Sequence, residues 1–276
     1  MSVPILSRHK GEIMSGAMVR RFGLLLVVLV GPAHLFSQAP SSDPQAVSLA
    51  SQSISALIGP IQVTDVTLTG SVTWSGGATP DTGTVTLLAS GTGESRMNLV
   101  LSNGTWTEIR DSSAGVAQGQ WIAQGGAKGL FAAQNCVTDA VWFFPPLGSL
   151  AQGPNVVLTY VGQETQNGVA VQHIQSYIYQ QNPAGLNPSP QQLSTIDFYL
   201  DASTFLPVAI TFNAHPDNSA SINLQTEVDF SNYRALSGVM VPTHIEKLSQ
   251  GNAIADITIS GAVFNTGLPL SDFAIN

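Results

Sequence analysis

The sequence predicts an α+β protein dominated by antiparallel β-strands, and three observations support this class. Residues 222–231 alternate between apolar and polar side chains, the two-residue period of a strand with one buried face. Residues 63–124 contain short runs rich in Val, Thr and Leu, separated by Gly-rich turns. No helical pattern lies between these runs, so a parallel sheet built from crossover helices is not expected.

Residues 1–39 are predicted to be a signal peptide. An arginine pair at residues 20–21 precedes an apolar run over residues 24–36, with small residues after it. A Gly-Pro pair interrupts the run, which is shorter than the roughly 20 apolar residues of a membrane span. The mature chain, residues 40–276, is therefore expected to be one exported domain without a transmembrane span. Met14 and Met18 are alternative starting residues.

The charge balance excludes two classes of partner. The chain has 9 Lys and Arg against 17 Asp and Glu. Loss of the predicted signal peptide leaves five basic and sixteen acidic residues, a formal charge of −11. Nucleic acids and anionic membrane surfaces both attract basic patches, and five scattered bases do not form one.

A helix and a first group of strands are predicted in the first half of the mature chain. Asp43-Pro44 is a favourable helix start, and Gly59-Pro60 ends the helix after a stripe of apolar residues. Short strands then follow, joined by turns rich in Gly. The predicted strands cover residues 66–74, 83–90, 95–102, 104–110 and 117–124.

Residues 129–152 are apolar, aromatic and nearly uncharged, and a helix is predicted within them that the Pro145-Pro146 pair would end. Trp142, Phe143 and Phe144 are consecutive and cannot share one helical face, so part of the segment should contact a second apolar surface. Two interpretations stay open. The segment is either an ordinary core helix that crosses a sheet, or a lid over the mouth of a cavity.

The second half of the chain predicts more strands. Residues 156–161 and 169–179 form a pair joined by a turn at residues 163–168, and a Pro-rich loop follows. Residues 197–273 then predict one antiparallel meander. Within it Pro242 indicates a sheet edge or a kink, because proline cannot donate to a strand ladder.

The residues with reactive side chains do not form a recognisable catalytic motif. The three histidines of the mature chain are far apart in sequence, and the single Cys136 lies in an apolar stretch that favours burial. No Gly-x-Ser-x-Gly elbow, phosphate loop or regular metal-ligand spacing is present. We therefore predict a protein that is not an enzyme, with no catalytic residue, metal or cofactor.

The C-terminal meander resembles a known family. The pieces that carry the resemblance are Leu200–Pro207, Val228–Arg234, Gly238–Pro242 and Val263–Asn265, in this order and spacing. They resemble the periplasmic lipoprotein-carrier superfamily, which contains LolA, LolB and outer-membrane lipoprotein-sorting proteins. The stretch that contains them is about one third of the mature chain.

The resemblance implies a fold and a function. The fold is an incomplete, unclosed antiparallel β-barrel with covering helices. The implied function is that of an exported, non-catalytic carrier in the periplasm or cell envelope, which binds lipid or the acyl chains of a lipoprotein in an apolar cavity. Carriers of this family use an arginine in the first half to hold the covering helices, and the resemblance assigns that role to neither Arg96 nor Arg110.

Five residues are the candidates for contact with the acyl chains. The rim of the cavity is expected from the aromatic triplet and its walls from apolar strand faces; the residues are Trp142, Phe143, Phe144, Leu224 and Val228. An ordinary core would use the same residue types. The main alternative is therefore an envelope protein whose barrel is filled by its own side chains and which binds a protein partner. A hydrolase with a site assembled from distant residues is a weaker alternative.

Overall fold

The computed structural model describes residues 40–77, 79–111, 117–148, 150, 153, 155–181 and 185–275. The predicted signal peptide, residues 1–39, lies outside the described residues. Of the helices in the described part of the chain, none has the length and apolar character needed to cross a bilayer.

One antiparallel sheet of thirteen strands forms the described part of the molecule. The strands are β1 (Asp65–Trp74), β2 (Asp81–Ser90), β3 (Glu94–Leu101), β4 (Gly104–Asp111), β5 (Gln118–Ile122), β6 (Lys128–Phe131), β7 (Val156–Gln166), β8 (Val169–Ile178), β9 (Ile196–Asp201), β10 (Pro207–Ala214), β11 (Leu224–Leu236), β12 (Val239–Ser249) and β13 (Asn252–Phe264). Their spatial order is β6-β5-β4-β3-β2-β1-β13-β12-β11-β10-β9-β8-β7. Strands β6 and β7 are thus unpaired edges, and the predicted unclosed antiparallel barrel is confirmed.

The two halves of the sheet join where β1 pairs with β13. Their register runs from Val66 opposite Phe264 to Trp74 opposite Ala255, with a bulge beside Gly70. A Cβ atom on Gly70 would lie 2.0 Å from the carbonyl oxygen of Thr258. The glycine is therefore required because the two backbones approach too closely for any side chain.

Helix α1 (Pro44–Ile58) begins as the sequence predicts. The Asp43 carboxylate accepts a hydrogen bond from the Gln45 amide at 2.7 Å, and the Asp43 amide donates to the Leu158 carbonyl of β7 at 2.8 Å. Gly59 ends the helix with a φ of 55°. The buried stripe of α1 joins the apolar core of the sheet; its members are Ala46, Leu49, Ala50 and Leu57. We call the sheet face on which this core lies the inner face.

The C-terminal meander has the predicted alternation along β11. Thr226, Val228 and Phe230 are buried on the inner face, while the residues between them are partly or fully exposed. Ile222, which the alternation also places inside, precedes the strand and is 52% exposed, so that part of the prediction is wrong. Pro242 pairs with β11, and the β12–β13 pairing begins only at His244, which confirms the predicted edge position.

The helix predicted within residues 129–152 is much shorter in the structure than the apolar segment that predicts it. The chain there forms β6, the short helix α2 (Ala133–Thr138), irregular backbone and a 3-10 turn at Pro145–Leu147. Val141 has a φ of 51°, a left-handed conformation that no right-handed helix accommodates. We call residues 139–148 the aromatic segment. The helix α3 (Pro190–Ser194) contacts α2 and β8.

The hairpin of β7 and β8 is longer than predicted. Residues 163–166 belong to the strand, and the turn consists of Asn167 and Gly168 with φ values of 51° and 78°. Two positive φ angles are typical of the tightest hairpin turns, in which Asn-Gly is the preferred pair. The polar residues before the turn therefore extend the strand instead of ending it.

Candidate functional site

Four charged side chains are buried on the inner face near one end of the sheet. Glu108 and Arg110 are alternate residues of β4, Lys247 lies on β12, and Asp139 caps the C-terminus of α2. Their exposed fractions are only 8, 6, 7 and 7%, respectively. Charged side chains are seldom buried so completely unless they are paired. We call these four residues the charge cluster.

Each member of the charge cluster has an oppositely charged neighbour. Arg110 Nη1 lies 2.7 Å from Glu108 Oε2, and Arg110 Nη2 lies 2.6 Å from Asp139 Oδ2. Lys247 Nζ donates to Asp139 Oδ1 at 2.5 Å, and Trp106 Nε1 donates to Glu108 Oε1 at 3.0 Å. The four formal charges sum to zero, and Asp139 connects the two cations.

The pairing keeps Glu108 and Arg110 ionised. Burial opposes the ionisation of Glu108, but the charges of Arg110 and Lys247 hold the pKa of its carboxyl below the usual value. For Arg110, burial also disfavours the charge, while Asp139 and Glu108 raise the pKa of the guanidinium above its ordinary value. Glu108 and Arg110 are thus stable charges rather than a proton donor or acceptor for chemistry near neutral pH.

Aromatic rings cover both cations. Lys247 Nζ lies 4.5 Å from the centroid of the Trp142 ring, and Arg110 Cζ lies 4.2 Å from the centroid of the Phe131 ring. Trp142 in turn packs edge-on against Phe143, with 5.5 Å between the ring centroids. The aromatic segment is therefore held to the sheet by the ion pairs of Asp139 and by a cation–π contact of Trp142.

The residues predicted to contact ligand are mostly buried in the core. The exposed fractions of Trp142, Phe143, Phe144 and Val228 are 3, 1, 1 and 0%. Leu224 is half-buried at the start of β11. The aromatic triplet therefore does not form an open rim in this structure, because the segment has turned its side chains into the core. A role of the five residues in ligand binding stays a prediction.

A small cavity of about 150 Å³ borders the charge cluster. All four cluster residues line it, and Trp142 forms part of its apolar wall. The Nε atom of Arg110 is buried and has no hydrogen-bond partner among the described residues. The cavity is thus lined by the aromatic side chain of Trp142 and by the cationic side chain of Arg110, whose Nε–H is an unused hydrogen-bond donor.

A second, more open groove of about 380 Å³ is lined by residues of α2, α3 and the end of β8. Its lining is mainly apolar and includes Val137, Ile178 and Leu193. Because α2 directly precedes the aromatic segment, this groove adjoins the part of the chain that covers the inner face.

Sequence reasoning did not single out the charge cluster as a site. Glu108 and Arg110 share a strand face with Trp106. Because both side chains are charged, the sequence pattern predicts that this face is exposed to solvent. A signal was present in β12, where Lys247 follows the apolar Val239, Val241 and Ile245 at even spacing along the strand. A lysine that falls on the dry face of a strand needs a buried carboxylate, and this requirement could have pointed to the cluster.

The remaining reactive groups show no assembled metal site. No group of three His, Cys, Asp or Glu within the described ranges could hold a metal ion. Cys136 is buried, as predicted, and burial raises the pKa of its thiol to about 11, so the reactive thiolate does not form near neutral pH. On the outer face His244 lies 3.0 Å from Ser231 Oγ and 2.9 Å from Asp256 Oδ1. This Ser–His–Asp chain is solvent-exposed.

Comparisons with known proteins support the fold. No protein-family model matches the chain, and no curated protein sequence matches it significantly. Among solved structures, a domain assigned to the outer membrane lipoprotein-sorting proteins of Vibrio parahaemolyticus aligns with a TM-score of 0.55 and 13% identity, over 83% of this chain and 96% of that one. A DUF1329 family protein from Desulfovibrio piger aligns with a TM-score of 0.54 and 10% identity, over 85% of this chain and 98% of that one.

A third structure bears directly on the resemblance seen in residues 197–273. A LolA superfamily protein from Nitrosomonas europaea aligns with a TM-score of 0.51 and 11% identity, over 83% of this chain and 97% of that one. The alignments span nearly the whole length of all three neighbours, so the likeness is one of complete folds. The chain therefore has the LolA-like fold of the lipoprotein-sorting proteins, an unclosed antiparallel sheet with helices on its inner face.

Proposed function

We propose that this protein binds lipid, or the acyl chains of a lipoprotein, on the inner face of its sheet and acts as a non-catalytic carrier. The LolA-like fold supports a carrier-type role. The observation that carries the proposal is the type of structure that covers the inner face of the sheet. An unclosed sheet with an apolar inner face is covered by a nearly uncharged helix and the irregular aromatic segment, not by a second sheet.

An exchange of the aromatic segment for an acyl chain is close to balanced in free energy. Burial of three aromatic side chains, at about 150–250 Å² each, is worth roughly 10–20 kcal/mol. An acyl chain that buries about 15 CH₂ groups gains about 12 kcal/mol. A ligand can therefore replace the segment without a large change in the total buried apolar surface.

The proposed contacts are the five residues named from the sequence. Once the aromatic segment has moved, Val228 and the neighbouring inner-face side chains form the wall. Leu224, half-buried at the start of β11, lies at the entrance. Trp142, Phe143 and Phe144 then cover the chain from outside instead of filling its place.

We further propose that the carrier is exported to the periplasm or another part of the cell envelope. The predicted signal peptide over residues 1–39 and the acidic, nearly base-free mature chain support this location. Deletion of residues 1–39 should retain the protein in the cytoplasm, as measured by fractionation with periplasmic and cytoplasmic marker enzymes. Export of the truncated chain would contradict the proposal.

The alternative of a filled barrel also has an observation in its favour. In the structure the inner face is packed by the chain's own side chains, with Phe143 and Phe144 almost fully buried. A protein that stays in this state would bind a protein partner through its outer surface instead of taking up lipid.

One experiment separates the carrier from the filled barrel. The exported protein is purified from a bacterial envelope, and its native mass spectrum is recorded before and after organic extraction. The carrier proposal predicts a bound lipid that extraction removes, and binding of a fluorescent fatty acid afterwards. Absence of both would favour the filled barrel and overturn the carrier.

A pair of matched variants places the binding on the inner face. Leu224→Glu puts a charge at the proposed entrance and should weaken binding of the fatty-acid probe about tenfold or more, because an acyl chain cannot solvate it. Val100→Glu introduces the same charge on the outer face, at a side chain that is 56% exposed, and should leave binding unchanged. Equal effects of the two variants would exclude the inner face as the site.

A hydrolase is the weaker candidate, and the Ser231–His244–Asp256 chain is the observation that favours it. Catalytic hydrolases shield such a chain from water, whereas the side chains of His244 and Asp256 are 37 and 51% exposed. A fluorophosphonate probe tests the candidate. Labelling that Ser231→Ala abolishes would establish a nucleophile, and we expect none.

A further inference from the structure

We propose that the charge cluster is a subsite for the anionic headgroup of an amphiphile, with Arg110 and Lys247 as the groups that bind it. In the closed state Asp139 takes the position of that headgroup. The inference rests on the proposed function, because it names the class of lipid that the inner face accepts. That class has an acyl tail and a phosphate or carboxylate head.

The geometry around Asp139 is that of an anion site. Its Oδ2 atom lies 2.6 Å from Arg110 Nη2, and its Oδ1 atom lies 2.5 Å from Lys247 Nζ. A guanidinium and an ammonium that converge on two oxygens are the donors that bind carboxylates and phosphates in proteins. A headgroup with two anionic oxygens would meet the same two donors.

The secondary structure that holds each charged residue determines which of them can move away from the cluster. Arg110, Lys247 and Glu108 lie on strands of the sheet, whereas Asp139 stands at the junction of a six-residue helix and irregular backbone. Departure of Asp139 leaves two positive charges and one negative charge on the inner face. An uncompensated buried charge is strongly unfavourable, so the vacated cluster favours an anion.

An unpartnered hydrogen-bond donor and an adjoining cavity indicate that the cluster can bind an anionic group larger than the Asp139 carboxylate. Arg110 is 6% exposed, and its buried Nε atom has no hydrogen-bond partner in the described part of the chain. The cavity of about 150 Å³ borders Arg110, Asp139 and Lys247. This volume is several times the roughly 30 Å³ that one water molecule occupies in the liquid. A headgroup bulkier than a carboxylate therefore has room beside a free donor.

The headgroup and the tail are coupled because Asp139 begins the aromatic segment. Movement of Asp139 away from the two cations also draws Trp142 from its contact with Lys247. An anionic amphiphile replaces both lost interactions, since its head pairs with the cations and its tail covers the apolar face. A neutral lipid replaces only the second and leaves the cluster with one positive charge in excess, because Glu108 alone of the cluster's carboxylates then faces the two cations.

The test compares three fluorescent probes with one alkyl tail and different heads: a carboxylate, a phosphate monoester and an alcohol. Binding to the delipidated exported protein is titrated at about pH 8, where the carboxylate is ionised. Both anionic probes should bind about tenfold or more tightly than the alcohol. The anionic probe that binds more tightly identifies whether the preferred headgroup is a carboxylate or a phosphate.

Three variants link that preference to the cluster. Lys247→Met should reduce the ratio of affinities to less than about threefold, and Lys247→Arg should preserve it, because only the charge is required. Arg234→Gln removes one positive charge from an exposed position on β11 and should leave the ratio unchanged. Thermal melts of each variant establish that it is folded.

Two results would overturn the inference. The first is equal binding of the alcohol and the anions by the unaltered protein, which leaves the proposed carrier function standing. The second is an unchanged preference in folded Lys247→Met. Failure of all three probes to bind would overturn the carrier function together with the subsite.

Discussion

Asp139 is the only charged residue of the aromatic segment, and its two carboxylate oxygens contact two different cations. Lys247 has no second carboxylate in the described ion pairs, whereas Arg110 also contacts Glu108. Loss of the Asp139 carboxylate therefore removes the carboxylate that directly contacts the buried Lys247 ammonium, which keeps its contact with the ring of Trp142.

Asp139→Ala should lower the free energy of unfolding by about 3–5 kcal/mol, the usual cost of removing one partner of a buried pair. Urea denaturation measures this change. The control is Asp256→Ala, which removes an exposed partner of His244 and should cost less than about 1 kcal/mol. A loss for Asp139→Ala no larger than that of the control would mean that the ion pairs do not hold the segment.

Asp229 makes the stability of the protein depend on pH. Burial and the nearby charge of Glu227 raise the pKa of its carboxyl from 3.8 to about 6. Between these two values the folded chain binds more protons than the unfolded chain, so stability falls as the pH rises from about 4 to 6. Burial works against a charged His173, but hydrogen bonds and charges from Asp197 and Glu164 outweigh it and raise the pKa of the imidazole. The stability that His173 contributes is therefore also lost as pH rises.

Asp229→Asn should increase the free energy of unfolding by about 1 kcal/mol at about pH 7.5 and leave it unchanged at about pH 4. The asparagine carbonyl still accepts the hydrogen bond that Asn167 Nδ2 now donates at 2.7 Å, so only the charge is lost. Urea denaturation at both pH values measures the effect. A variant that is equally stabilised, or destabilised, at both would show that ionisation of Asp229 is not the cause.

At the scale of elements, the junction of β1 and β13 is the contact that unites the two meanders. Gly70→Ala should lower the free energy of unfolding by about 3 kcal/mol or more, because the new Cβ would lie 2.0 Å from the Thr258 carbonyl oxygen. Gly77→Ala is the matched control, since its Cβ would come no nearer than 3.9 Å to a described residue other than its chain neighbours. Similar melting temperatures of the two variants would contradict this account of the junction.

Most strands were predictable from the sequence because alternation and turn residues are local properties. The helix α1 was predictable for the same reason, since its cap at Asp43 and its end at Gly59 are both local signals. Residues 129–152 were not, because helical propensity there is overridden by tertiary packing. Trp142, Phe143 and Phe144 are all buried, and the positive φ of Val141 allows the chain to direct them to different neighbours.

At the scale of the whole molecule, the burial of the charge cluster could not be predicted from the residue pattern of any single strand. Residues 107–110 of β4 are buried on both faces, since Ile109 on the outer face is only 3% exposed and the 3-10 turn Leu270–Phe273 contacts β3 and β4. Glu108 and Arg110 thus have no solvated face of β4 to occupy. The pairing of Arg110 and Lys247 with Asp139 depends on three elements that are distant in sequence.

The fold as a whole followed from the resemblance of residues 197–273 more than from the strand patterns. Alternation alone predicted antiparallel strands and a meander, and the resemblance specified an unclosed barrel with covering helices. The resemblance did not predict which structures cover the inner face. The inner face is covered by α1 and by irregular backbone that the charge cluster holds in place.

Hydrogen exchange measured by mass spectrometry, with and without a fluorescent fatty acid, tests most directly whether this cover moves to admit an acyl chain. In the absence of ligand the segment's amides should be protected, as in the 3.0 Å hydrogen bond from the Phe144 amide to the Val141 carbonyl. Saturation with the fatty acid should remove protection from residues 139–148 and leave the protection of β10 and β11 unchanged. Protection that stays the same in a protein saturated with the fatty acid, or the absence of any binding, would contradict it.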